Sequence, residues 1–139
     1  MNVQVVEPRA DILVESTRSI GYTFESALAD IIDNSIGNGA THIDVRFSSI
    51  IPRYIAIIDD GCGMTPDELI IAMRYGSKNV NDQRAESDLG RFGLGLKTAS
   101  LSQCRKLTVI SKKNNVISAA SWDLDFIIAQ QGWSLKVYD

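Results

Sequence analysis

Three groups of residues in this sequence have the types and spacing to do chemistry. The first is Asp30, Asp33 and Asn34, set within a helical pattern over residues 24–36. Residues four apart on a helix stand one above the other, so Asp30 and Asn34 share a face. A carboxylate stacked on an amide can orient a water and offer oxygens to a hard cation. An ordinary solvated helix face would also use such residues. The second group is Asp59-Asp60-Gly61-Cys62-Gly63-Met64, directly behind the apolar run 54–58. At the carboxyl end of a buried strand, Asp59 can accept a hydrogen bond from an exocyclic amine. Gly61 and Gly63 would let a flat ring lie against the main chain, and a plain Asp-Gly turn is the competing reading. The third group is residues 87–102, S-D-L-G-R-F-G-L-G-L-K-T-A-S-L-S, where Gly90, Gly93 and Gly95 precede Lys97 and a helix of small residues. A glycine run feeding a helix start offers unpaired N–H groups and a positive dipole end to an anion.

Two familiar phosphate loops do not fit that run. A Walker loop needs lysine directly after its last glycine, but Leu96 separates Gly95 from Lys97, and residues 79–88 are too polar for the strand that should precede it. A dinucleotide loop reads Gly-x-Gly-x-x-Gly, and here the order is Gly-x-x-Gly-x-Gly.

The elements that must position these groups follow from periodicity. Residues 24–36 place Ala27, Leu28, Ile31, Ile32, Ser35 and Ile36 on one helical face, and Gly37-Asn38-Gly39 ends the helix. Residues 8–19 read as a short helix with Pro8 in its first turn. Residues 42–47 alternate as a half-buried strand, 48–52 turn, and 54–58 form a more buried strand. His42, the only histidine, has no metal-ligand spacing around it and reads as a strand-edge residue. Thr65 and Glu68 have the spacing of a capping box, with Pro66 at the first helical position and the helix running to about Met73. Residues 74–89 are polar and aperiodic, and loops of that length in a compact domain tend to be lids. A lid over 74–90, hinged on Gly76 and Gly90, is therefore expected. A helix over 94–104 and strands over 107–112, 116–122 and 133–138 complete the chain. Asn114–Asn115 makes a hairpin turn, and residues 125–132 are a loop or a short helical insert.

The chain has 139 residues, 45% hydrophobic and 22% charged, which suits one globular domain over 1–139 with a real core. A net charge of −3 gives no electrostatic footprint for nucleic acid. Cys62 and Cys104 are isolated and read as reduced thiols. No apolar run reaches membrane-spanning length and no signal pattern opens the chain, so no membrane partner and a cytoplasmic location are expected.

Taken in order, helix acids with Asn34, then Asp59-x-Gly61-x-Gly63, then a lid and Gly90-x-x-Gly93-x-Gly95 span about residues 20–110. That order resembles the GHKL ATPase superfamily of gyrase, a heat-shock chaperone, sensor histidine kinases and MutL. Within it, D-I-I-D-N-S-I-G-N-G-A-T-H-I-D-V is similar to the helix-to-strand segment of MutL and gyrase. G-R-F-G-L-G-L-K-T-A-S is similar to the corresponding loop of MORC-type ATPases. The resemblance implies an α+β two-layer sandwich (the Bergerat fold), with a mixed, mostly antiparallel sheet and helices on one face. It implies ATP and Mg²⁺, with Asp30 as general base, Asn34 on the ion, and Asp59 on the adenine amino group. Gly61, Gly63 and Met64 would shape the ring's pocket. Gly90, Arg91, Phe92, Gly93, Leu94 and Gly95 would form the phosphate loop, with Lys97 near a phosphate oxygen and Asp33 and Lys78 as lesser contacts.

The resemblance further implies lid closure and an ATP-dependent homodimer, with residues 1–22 as an amino-terminal arm. It implies a downstream transducer domain, this chain being the amino-terminal part of a longer protein in DNA repair, chromosome handling, or restriction and defence. One residue departs from the pattern. Those relatives carry glutamate where this chain has Asp30, one methylene shorter, and base catalysis depends on hydrogen-bond reach. Gly37 also replaces an acid common among them. A non-hydrolysing, nucleotide-gated binding module and a histidine-kinase catalytic domain are the alternative functions.

Overall fold

The computed structural model describes residues 1–19, 21–75 and 95–139. Residues 1–9 are exposed and carry no regular structure. Helix α1 (Ala10–Thr17) buries only Ala10 and Val14, one turn apart on a single face. Helix α2 (Phe24–Gly37) begins in a capping box: Thr23 Oγ1 accepts from the Ser26 amide at 3.1 Å, and Ser26 Oγ accepts from the Thr23 amide at 3.0 Å. Two of the orphan donors that open any helix are thereby satisfied. Strands β1 (Ile43–Ser48) and β2 (Tyr54–Asp59) pair antiparallel, with Ile43 opposite Asp59. Helix α3 (Pro66–Met73) starts in the Thr65–Glu68 capping box that the spacing predicts, with Pro66 in its first turn.

Helix α4 (Gly95–Gln103) leads into β3 (Lys106–Lys113) and β4 (Val116–Asp123). The turn between these strands is Asn114–Asn115, with φ of 53° and 62° and Lys113 opposite Val116. Both residues are left-handed, the conformation a two-residue hairpin requires. Residues 125–132 resolve as a helix, α5 (Leu124–Gln130), because Asp123 Oδ1 caps it by accepting from the amides of Asp125 and Phe126. Strand β5 (Lys136–Tyr138) is shorter than the 133–138 expected. Trp133 instead packs its ring 5.0 Å from Tyr75 and 6.1 Å from Trp122, and Ser134 turns back onto the Gly132 carbonyl.

The fold is α+β. Among the described residues every strand pair is antiparallel, and the strands form two sheets, β1–β2 and β3–β4–β5, rather than one mixed sheet. The core lies between the second sheet and the helices. Val14, Leu69, Met73, Leu101, Trp122 and Ile127 draw on α1, α3, α4, β4 and α5 in turn. Trp122 is buried with its one polar group satisfied, Nε1 donating to the Met73 carbonyl at 2.6 Å. An apolar cleft of about 510 Å³ opens beside this cluster, lined by Pro8, Leu13, Ile70, Tyr75, Trp122 and Trp133 among others. Among the described residues, none of the candidate site residues lines it. Helix α2 stands outside this core and packs along α4. Its acidic face is therefore left for the site.

Candidate functional site

Asp30 projects from the middle of α2 and is half-buried. Its Oδ2 accepts a hydrogen bond of 2.8 Å from the Tyr22 hydroxyl. Burial first, and then the bond to Asp30 and its charge, push the Tyr22 phenol above its ordinary value. Tyr22 is held in turn by α4, where Gln103 Nε2 donates to its backbone carbonyl at 3.2 Å. Asn34 lies one turn beyond Asp30, half-buried, and Asp33 is exposed. Among the described residues no group is hydrogen-bonded to the Asn34 side chain, and no three His, Cys, Asp or Glu residues cluster tightly enough to hold a metal. The Asn34 side-chain oxygen is a hard donor, and Mg²⁺ is held by one or two such protein ligands with waters and phosphate oxygens completing its shell.

Asp59 closes β2 and is fixed at both oxygens. The Ser35 hydroxyl, on α2 and 5% exposed, donates to Oδ2 at 2.6 Å, and the Gly61 amide donates to Oδ1 at 3.0 Å. Carboxylate oxygens have further lone pairs, so an oriented Asp59 can still accept from a ligand amine. Neighbouring Asp60 does a different job. It accepts from the amides of Thr41 and His42 at 2.8 Å each and from the Thr41 hydroxyl at 2.7 Å. These bonds pull its carboxyl down to about 2, led by the His42 amide. Asp60 thus ties the turn after α2 to the end of β2.

The loop behind Asp59 is clasped from two sides. The Cys62 amide donates to the Asn38 carbonyl at 3.0 Å, and the Met64 amide donates to Ser111 Oγ on β3 at 2.8 Å. A Cβ on Gly61 would sit 3.0 Å from the Asn38 carbonyl oxygen, and one on Gly63, where φ is +67°, would collide with the Lys112 carbonyl. Gly63 is therefore required by the protein's own packing, whatever it also offers a ligand, while a side chain at Gly61 would press tightly on the Asn38 carbonyl.

Gly95 opens α4, and Lys97 lies in its first turn. The Lys97 side chain, placed near a phosphate oxygen by the sequence, is 1% exposed, with Nζ 2.7 Å from the Ala72 carbonyl and 5.9 Å from the centre of the Tyr75 ring. The last carbonyls of α3 lack helical partners and form its negative end, so they draw a buried ammonium inward. Lys78, Gly90, Arg91, Phe92, Gly93, Leu94 and the expected lid beyond Tyr75 lie outside the described residues.

The described part of the site thus joins an acid-and-amide helix face to an oriented strand-end carboxylate through the Ser35–Asp59 bond. From sequence, Ser35 reads only as part of the apolar face of α2 and Asp60 only as part of the strand-end group, and nothing marks Tyr22 or Ser111. Ser35 and Asp59 are 24 positions apart, and no local pattern marks a serine as the anchor of a distant acid.

Comparison with known proteins bears on what such an arrangement serves. Residues 22–139 match the profile of a family described as histidine kinase-, DNA gyrase B-, and HSP90-like ATPase. Over 103 residues the chain is 32% identical to the DNA mismatch repair protein MutL of Paramagnetospirillum magneticum, covering 71% of this chain and 16% of that protein. It is 30% identical over 95 residues to ATPase morc-1 of Caenorhabditis elegans, covering 68% of this chain and 11% of that protein. A MutL of Neisseria meningitidis is 35% identical over 94 residues, covering 65% and 14%. The chain thus spans less than a fifth of the length of each of these relatives.

Proposed function

Since this chain belongs to the family of histidine kinase-, DNA gyrase B- and HSP90-like ATPases, we propose that it binds ATP with Mg²⁺ and hydrolyses it. The observation that carries the reading is Asp59, gripped by Ser35 and the Gly61 amide at the end of β2. In that grip Asp59 accepts from the adenine amino group, while Gly61, Gly63 and Met64 border the ring. The phosphates then run along α2 toward Asn34 and Asp30, and the amides of residues 90–95 hold them from the other side. Mg²⁺, when bound, neutralises phosphate charge, with Asn34 as its protein ligand. Asp30 accepts the proton of the attacking water. Lid closure over 74–90 and pairing of two copies through residues 1–22 accompany ATP binding, and domains beyond this one transmit the change. The MutL relatives, named for DNA mismatch repair, support a role in DNA repair, with chromosome handling and restriction or defence as the other settings of this reading.

Calorimetric titration with ATP and Mg²⁺ tests the adenine contact. Asp59→Asn should weaken binding about tenfold or more, the worth of a hydrogen bond to a charged group. Equal binding by the variant would remove Asp59 from the nucleotide. Asp30→Ala should abolish phosphate release and spare affinity. One observation favours a second reading, a nucleotide-gated module without turnover: aspartate stands where a base needs reach, and one of its oxygens is already taken by Tyr22. Tight ATP binding by the unaltered protein with no phosphate released would select that reading.

A further inference from the structure

Resting on the base role proposed for Asp30, we infer that Tyr22 is its positioning residue, holding Oδ2 so that Oδ1 alone faces the attacking water. The bond from the Tyr22 hydroxyl is 2.8 Å long, the usual length of a well-formed O–H···O bond. Among the described residues nothing is hydrogen-bonded to Oδ1, so the two oxygens of the carboxylate are not equivalent. An aspartate side chain has two rotatable bonds, and a base must keep its proton-accepting oxygen within about 3 Å of the water. Pinning Oδ2 removes the rotation that would otherwise let a short acid swing away.

Tyr22 can serve as such a pin because it is fixed at its other end. Gln103, the last residue of α4, donates to its carbonyl. Gly21, with φ of +81°, turns the chain just ahead of it, and the Thr23 capping box starts α2 just after it. The phenol thus spans from the packed α2–α4 pair to the carboxylate. The nearest charged groups on the elements packed against α2 are committed elsewhere. Lys97 of α4 lies on the Ala72 carbonyl, and Asp59 of β2 lies on Ser35 and the Gly61 amide. On α2 itself, Asp33 is exposed.

Phosphate release by the purified protein at saturating ATP, measured for the parent, Tyr22→Phe and Asp30→Asn, tests this, with ATP affinity measured on each by calorimetry. Tyr22→Phe keeps the ring and its packing and loses only the donor. It should lower kcat about tenfold and leave ATP affinity within about twofold, because only the hold on the carboxylate is lost. Tyr22→Leu, which loses ring and donor together, should lower kcat at least as far. Unchanged kcat in Tyr22→Phe, with Asp30→Asn inactive, would overturn the positioning role alone. Loss of ATP affinity in step with kcat would also overturn it, by marking Tyr22 as structural. Full activity in Asp30→Asn, or none in the parent, would instead overturn the hydrolytic reading on which the inference stands.

Discussion

Two adjacent acids at the end of β2 have different fates, and geometry separates them. Asp59 is turned toward α2 and retains acceptor capacity for a ligand, whereas Asp60 spends both oxygens on the Thr41–His42 turn. The bonds on Asp60 hold its carboxyl at about 2, below the ordinary 3.8. Linkage then fixes the sign. A depressed folded value contributes stability that is fully present above about pH 4 and is lost as pH falls through about 2. Asp60→Asn should therefore melt below the parent at neutral pH, and the gap between the two melting temperatures should close between pH 4 and pH 2. A gap that stays constant over that range would show that Asp60 gains nothing from its charge. Sequence alone gave Asp59 and Asp60 the same setting, since adjacent identical residues differ only in what the folded chain brings to each.

At the scale of elements, local signals were legible wherever the causes were local. The Thr65–Glu68 box and the Asn114–Asn115 turn are set by residues within one turn of each other, and both are found; of the apolar face expected on α2, Ala27 and Ser35 are buried, Leu28, Ile31 and Ile32 half-buried, and Ile36 is exposed. Helix α5 is not distinguishable from a loop in sequence because seven residues are too few to display a period, and its cap, Asp123, ends a strand. The division of the strands into two sheets is a tertiary outcome that no segment encodes by itself. So is the buried Lys97 amine, bonded to the Ala72 carbonyl 25 positions away. The loop from Asp59 to Met64 shows the same division: its glycines are obvious in sequence, yet the need for Gly63 comes from Lys112. Gly63→Ala would force a side chain into left-handed backbone and against the Lys112 carbonyl. The expected cost is about 2 kcal/mol or more in urea unfolding, with weaker ATP binding because Asp59 loses its frame. Unfolding within about 0.5 kcal/mol of the parent would mean that the loop is free to move off β3.

For the whole molecule, the core and the acidic residues of the site draw on different surfaces. Trp122, Met73, Leu69 and Ile127 seal the helices onto the second sheet, while Asp30, Asn34 and Asp59 lie on α2 and the end of β2; of the candidates, Met64 and Lys97 border the core. Ligand binding should therefore add to stability without repacking the core. A ligand that binds only the folded chain stabilises it by about 2.7 kcal/mol at a hundred times its Kd. ATP with Mg²⁺ at that level should raise the urea midpoint accordingly, with the slope of the transition unchanged, and Asp59→Asn should show little shift at the same concentration. A midpoint indifferent to ATP in the parent would deny that the folded chain is the binding form.

The bond between Ser35 and Asp59 has a consequence for what the protein can measure. A helix rises about 1.5 Å per residue, so Asp30 and Ser35 are set about 7.5 Å apart along one stiff rod. On the proposed reading, one mark governs the seat of the base and the other governs the water at the terminal phosphate. Helix α2 is then a caliper. Its jaws cannot drift independently, and a nucleotide is gauged by its length: a triphosphate fills both, and a diphosphate seated by its base leaves the far one empty.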